Sequence, residues 1–251
     1  MNHTQSDKEF FDDFIQASQT TFKYLDDLVF IKNDELKMYY VSPAYLKFLH
    51  QDTPLSQEDI LGKDIIELKL RDNEELLKSM TNDDELVKQT KTKQKFMCID
   101  SRKNIFVVFK RPVINPATDN CVGIIAHITT LVLPNLMKML LKINNKTSYI
   151  ISNESNYNQL EYKLTERQHI VLFLYLHRYS AAEIASILGT LGYKMSNSRI
   201  NDHLEALKFI FRVRTKDQLI EKALAMDYNS SVPRALLREG TYLMDEAVNI
   251  M

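Results

Sequence analysis

The chain has 251 residues, enough for one large domain or two of ordinary size. Hydrophobic residues make up 45% and charged residues 26%, the balance of a chain that buries a core and not of a disordered one. A formal charge of −1 argues against a protein that coats nucleic acid over its whole surface, and two cysteines without metal-ligand spacing argue against a disulfide framework or a metal site.

The N-terminus has no basic segment leading into an apolar run, so no secretory signal is expected and the protein is expected in the cytoplasm. Residues 7–21 set Phe10, Phe11, Phe14 and Ile15 at helical spacing. Residues 28–32 and 38–41 read as two strands joined by the hairpin-like turn Asn33-Asp34-Glu35. Ser42-Pro43 then opens a helix, Ser as its cap and Pro in its first turn. Residues 71–91 form a charged helix with Leu76, Leu77, Met80, Leu86 and Val87 on its apolar positions and Asn82-Asp83-Asp84 as a point of interruption. Three further strands fit residues 95–100, 105–113 and 122–128, with turns between them.

That order of elements, and several of their residues, resemble a PAS domain. Val29-Phe30-Ile31-Lys32-Asn33 and Tyr40-Val41-Ser42-Pro43-Ala44 are similar to its opening hairpin and first core helix. Ile60-Leu61-Gly62-Lys63-Asp64 is similar to its glycine turn, and Lys110-Arg111-Pro112-Val113 and Gly123-Ile124-Ile125 to its later strands. His127-Ile128-Thr129 stands where the family pattern has Asp-Ile-Thr. The resemblance implies a pocket on the sheet face for a small molecule, with Phe30, Tyr40, Phe48, Phe96, Phe109 and Ile125 as its candidate lining. Flavin is disfavoured as a cofactor because the Asn-Cys-Arg-Phe-Leu motif is absent, and haem because helix 71–91 contains no His.

Residues 131–143 are broken by Pro134, Asn135, Lys138 and Lys142, short of the ~20 apolar residues of a membrane span, so no membrane partner is expected. A helix is predicted at 134–142. Five Asn and three Ser between residues 144 and 158, without period, read as a linker.

Beyond it, Thr165-Glu166-Arg167-Gln168 and Ser180-Ala181-Ala182-Glu183 are two capping boxes, each opening a helix. A third helix starts after Ser196 and turns Ile200, His203, Leu204 and Leu207 to one side, His203 as a packing residue. Asn197, Arg199, Asn201, Asp202, Glu205 and Lys208 stay more exposed. A fourth helix at 216–226 closes the small core through Leu219, Ile220 and Ala223. A polar-faced helix after a short capped one is how a helix-turn-helix reads the major groove. Residues 160–226 hold ten Lys/Arg against seven Asp/Glu, the basic part of the chain.

Leu164-Thr165-Glu166-Arg167-Gln168, Ser180-Ala181-Ala182-Glu183-Ile184-Ala185 and Ser196-Asn197-Ser198-Arg199-Ile200-Asn201-Asp202-His203 resemble the LuxR-type helix-turn-helix family in register. Residues 190–194 are an insertion relative to that pattern, and Ile210 replaces its usual Lys. The resemblance implies base contacts from Asn201, Asp202 and Glu205: Asn suits adenine, and a carboxylate can accept from cytosine. Lys194, Ser196, Arg199, Lys208, Arg212, Arg214 and Lys216 are the candidate phosphate contacts.

The expected fold class is α+β: a PAS-like antiparallel sheet with flanking helices, then an all-α four-helix LuxR-type unit. The expected divisions are 1–130 sensor domain, 131–160 connecting helix and linker, 161–227 DNA-binding domain and 228–251 helical extension. Five glycines leave little material for a phosphate-cradling loop, and no nucleophile motif or metal-spaced His pair is found, so an enzyme is not expected. The expected partners are double-stranded DNA and a second copy of the chain. Helices 7–21 and 134–142 are favoured for pairing over the tail helix expected at 233–248, which carries Leu236, Leu237, Leu243 and Met244. The competing reading is a protein-binding signalling adaptor with a degenerate helix-turn-helix.

Overall fold

The computed structural model describes residues 5–49, 56–68, 73–130 and 162–244. The helix expected at 134–142 and the linker at 144–159 lie outside the described residues, as does the end of the tail. The chain divides into two compact units, residues 1–131 with 239–251, and residues 132–238.

The first unit is built on a six-stranded antiparallel sheet with helices on both faces. Helix α1 (Asp7–Phe22) begins with a capping box between Ser6 and Glu9 and buries Phe11 and Ile15. Strands β1 (Leu28–Asn33) and β2 (Met38–Val41) form the expected hairpin, whose turn closes with Lys37 N–H donating to Asn33 Oδ1. Ser42 caps α2 (Pro43–Leu49): its buried hydroxyl accepts from Tyr45 N and Val29 N and donates to the Asp27 carbonyl. A one-turn helix, α3 (Gln57–Ile60), leads to Gly62, whose φ of +79° suits glycine and lets its N–H reach the Met38 carbonyl at 2.8 Å.

Helix α4 (Glu74–Thr90) runs unbroken through Asn82-Asp83-Asp84, where the composition suggested an interruption. Tertiary pairing explains the difference: Asp84 is buried against two lysines of the sheet and needs no local backbone partner. Strands β3 (Gln94–Ile99), β4 (Ile105–Ile114) and β5 (Cys121–Thr130) follow as expected. Pro112 lies on β4 beyond its last β3 partner, Lys110, so it interrupts no ladder on that side.

The sheet order is β2-β1-β5-β4-β3-β6, and β6 (Gly240–Leu243) comes from the far end of the chain. It pairs with β3 through Phe96↔Leu243, Met97↔Tyr242, Cys98↔Thr241 and Ile99↔Gly240. The helix expected at 233–248 is therefore corrected: Arg234–Leu236 form a single 3-10 turn and Gly240–Leu243 a strand. The unpaired edge of β3 supplies hydrogen-bond partners that outweigh a weak helical spacing.

One sheet face packs on α1 through Phe11, Ile15, Ile31, Tyr40 and Val113. Gly123 on β5 allows that approach, because a Cβ there would collide with the Lys32 carbonyl and the Phe11 ring. The α1 start is tied down by Asp7, whose carboxylate accepts from Thr118, Asn120 and Asn115 in the β4–β5 turn; those bonds hold its pKa below the usual value. The other face packs on α2, α3 and α4 through Phe30, Tyr45, Ile60, Leu76 and Phe106.

Among the described residues the second unit has four α-helices: α5 (Glu166–Leu176), α6 (Ala181–Thr190), α7 (Asn197–Ile210) and α8 (Lys216–Ala225). Thr165, Ser180 and Thr215 form capping boxes, and Ser196 caps α7 with its hydroxyl alone. Ile170, Ile184, Leu188, Ile200, Leu207, Phe211 and Leu219 are buried in one core.

Candidate ligand cavity and nucleic-acid interface

Between the sheet, α2 and α4 lies a cavity of about 80 Å³. A water needs roughly 10–15 Å³ of such space, so the cavity has room for the equivalent of several waters. Of the six residues expected to line it, Phe30, Phe48 and Phe96 do, joined by Tyr45 and Phe106. Tyr40, Phe109 and Ile125 do not, which corrects that expectation. Ile31 pairs with both Tyr40 and Ile125, and Phe109 pairs with His127, which places all three on the opposite face from Phe30. Alternation along each strand was readable; which parity faces the cavity depends on the register between strands.

The cavity has a charged end that sequence reasoning missed. Lys32 Nζ on β1 lies 2.5 Å from Asp84 Oδ2, and Lys110 Nζ on β4 lies 2.5 Å from Asp84 Oδ1. The three side chains are nearly water-free. Burial alone would raise the Asp84 pKa, but the two ammonium groups outweigh it and hold the carboxyl below its usual value. Lys110 also donates to the Met80 carbonyl at 3.1 Å. The sequence did carry a signal: Lys32 and Lys110 sit at core-facing positions, two residues from Phe30 and Val108.

Asp83 also lines the cavity. Burial first, and the Asp84 charge beside it, push its pKa up to about 6, against the opposing influence of the Lys110 charge and the neighbouring Thr241 hydroxyl. Its Oδ2 is buried without a hydrogen-bond partner and stands 3.9 Å from Lys110 Nζ. Elsewhere in this unit His127 Nε2 pairs with Asp27 Oδ1 at 3.1 Å, joining β5 to the chain just before β1.

In the helical unit, α7 carries the residues expected to read bases, and Asn201, Asp202 and Glu205 are all exposed. Asn201 is not idle: its amide donates to the Asn197 carbonyl at 3.1 Å, and Lys216 Nζ donates to its Oδ1 at 3.4 Å. Glu205 is ion-paired with Lys208 at 2.6 Å. Among the expected phosphate contacts, Lys194, Arg199, Arg212, Arg214 and Lys216 are exposed, Lys208 is half-buried, and the Ser196 hydroxyl accepts from Arg199 N. His203 is half-buried; desolvation, then the charges of Arg199 and Arg167, lower its pKa.

The insertion at 190–194 folds back on α5. Tyr193 donates its hydroxyl to Glu166 at 2.8 Å and stacks under Arg167. Tyr228 was also unanticipated: wholly buried, it packs against Phe211, and its hydroxyl accepts from Tyr162 N and donates to the Tyr162 carbonyl.

No family model matches the sequence, and no curated protein matches it. Among solved structures, the chain is similar to the phage VqmA–DPO complex, at 22% identity and a TM-score of 0.66, over 96% of this chain and 100% of that one. It is also similar to a Vibrio cholerae VqmA–ligand–DNA complex, at 19% identity and a TM-score of 0.62, over 92% of this chain and 96% of that one. At these identities the similarity is one of fold: a PAS-like antiparallel sheet unit joined to a helical unit.

Proposed function

We propose that this chain is a sequence-specific DNA-binding transcription regulator, in which a small molecule taken up by the PAS-like unit controls dimeric DNA binding. The observation that carries this reading is the pairing, in one chain, of an aromatic cavity with a charged end and a four-helix unit whose third helix presents a polar face. The structures that share its fold over nearly the whole length support it, since one VqmA was solved with DPO and another with ligand and DNA.

In this reading Asn201, Asp202 and Glu205 face base edges, while Arg199, Lys216 and their basic neighbours anchor the backbone. One short recognition helix reads few base pairs, so a dimer is the expected binding form. None of these roles is catalytic. Among the described residues no helix is long and apolar enough to cross a membrane.

The Glu205–Lys208 pair and the engaged Asn201 favour a second reading, a protein-binding adaptor with a degenerate helix-turn-helix. Selection of genomic fragments by the purified full chain, followed by affinity measurements over a range of salt, separates the two. A regulator enriches a common sequence and loses affinity steeply as salt rises; an adaptor does neither.

A further inference from the structure

The sheet unit is left after β5 and rejoined only at β6, so the helical unit is, in sequence, an insertion between two strands of one sheet. The returning strand does more than extend the sheet. Thr241 lines the cavity, is the register partner of Cys98 on its wall, and meets Ser79 of α4 through a 2.5 Å hydroxyl–hydroxyl hydrogen bond.

Two observations set β6 apart from the other walls. It is a four-residue edge strand with its residues only half-buried and Leu243 53% exposed, so little apolar area holds it in place. Beside Thr241, Asp83 Oδ2 is a buried acceptor without a hydrogen-bond donor, the Lys110 ammonium standing 3.9 Å away. A buried acceptor left unsatisfied is costly, so a donor brought there by a ligand would be favoured. A ligand shifts a conformational equilibrium only through contacts that differ between the two states, and this corner offers such a contact.

We propose that β6 is a ligand-responsive wall of the cavity. A small molecule that donates an N–H or O–H to Asp83 Oδ2 holds Thr241, and with it β6, against β3 and α4. Occupancy thereby anchors the chain where it leaves the helix-turn-helix unit. This rests on the reading of the cavity as a small-molecule site.

The test uses the full chain, with DPO as the probe. Met244 N–H donates to the Lys95 carbonyl, and by the alternation of an antiparallel ladder Tyr242 N–H donates to Met97. DPO should slow hydrogen exchange at the Tyr242 and Met244 amides about ten-fold, and Asp83→Ala should abolish that slowing. Independently, in a Cys121→Ser background, Tyr242→Pro should speed modification of Cys98 by methyl methanethiosulfonate about ten-fold. Thr241→Asp, which sets a second carboxylate beside Asp83, undocks β6 by another route should the proline variant not fold. Equal Cys98 rates in parent and undocked variants would overturn the proposal. So would calorimetric binding of DPO with no change in amide exchange. No binding heat would overturn instead the small-molecule reading for this probe, leaving the Cys98 rates to decide whether β6 is a removable wall.

Discussion

Lys32 and Asp84 stand 52 residues apart in sequence and 2.5 Å apart in space, each side chain about 1% exposed. Lys110 completes the group from a third element. Charges this deeply buried persist only when paired, so Asp84 holds two strands to α4 and keeps two lysines compatible with an apolar cavity.

Asp84→Ala should therefore be severe. It leaves two buried ammonium groups without a counter-charge, and loss of one partner from such a group costs about 3–5 kcal/mol. Urea unfolding of parent and variant would show it as a lower midpoint. A midpoint within error of the parent would mean that water reaches the lysines.

Asp83 predicts a pH dependence of the opposite sign from the usual carboxylate. Its pKa rises from 3.8 to about 6 on folding. Between those values the folded chain binds more protons than the unfolded one, so stability falls as pH rises through the window. The contribution is fully present below 3.8 and gone above about 6. Asp84, with a lowered pKa, works the other way: its contribution is present above the unfolded value and lost as pH falls through the folded one. Asp83→Asn should flatten the stability profile between pH 4 and 6, as urea midpoints over a pH series would show.

Gly123→Ala should destabilise the sheet unit by about 1–3 kcal/mol, as overpacked sites do. The added methyl meets the Lys32 carbonyl, which is backbone and cannot rotate away, and the Phe11 ring. Lower melting temperature with early loss of α1 protection is the expected result. An unchanged melting temperature would show that α1 can shift without loss.

On DNA, Arg199→Ala should weaken binding to all sequences and reduce the salt slope by about 1, the signature of a lost phosphate contact. Lys208→Ala should have a smaller effect, since its ammonium is already paired with Glu205. Asn201→Ala should relax preference at one base position by ~1–3 kcal/mol. A base-preference profile identical to the parent's would remove Asn201 from readout.

Light scattering at micromolar concentration should give the mass of two chains. Phe11 and Ile15 of α1 already pack on their own sheet, so deleting residues 1–20 would test that packing as much as an interface. Charge substitutions on the exposed side of α1, at Lys8, Asp12 or Gln16, separate the two. A monomer in the parent would defeat the dimer.

What the amino-acid order determined by itself was local. Capping boxes at Thr165 and Ser180, the Ser42-Pro43 helix start and period-two strands are written within a few residues of where they act, so β1 to β5 and the four helices of the second unit were readable. The polar face of α7 was readable for the same reason. Only the tertiary structure decided what depends on distant partners. It set which strand parity faces the cavity, and so excluded Tyr40, Phe109 and Ile125. It gathered Lys32, Asp84 and Lys110 from three elements, and it turned Gly240–Leu243 from an expected helix into the sixth strand. Register, charge pairing and strand addition are free-energy differences between long-range partners, and a stretch such as Gly-Thr-Tyr-Leu takes the conformation its neighbours can pair.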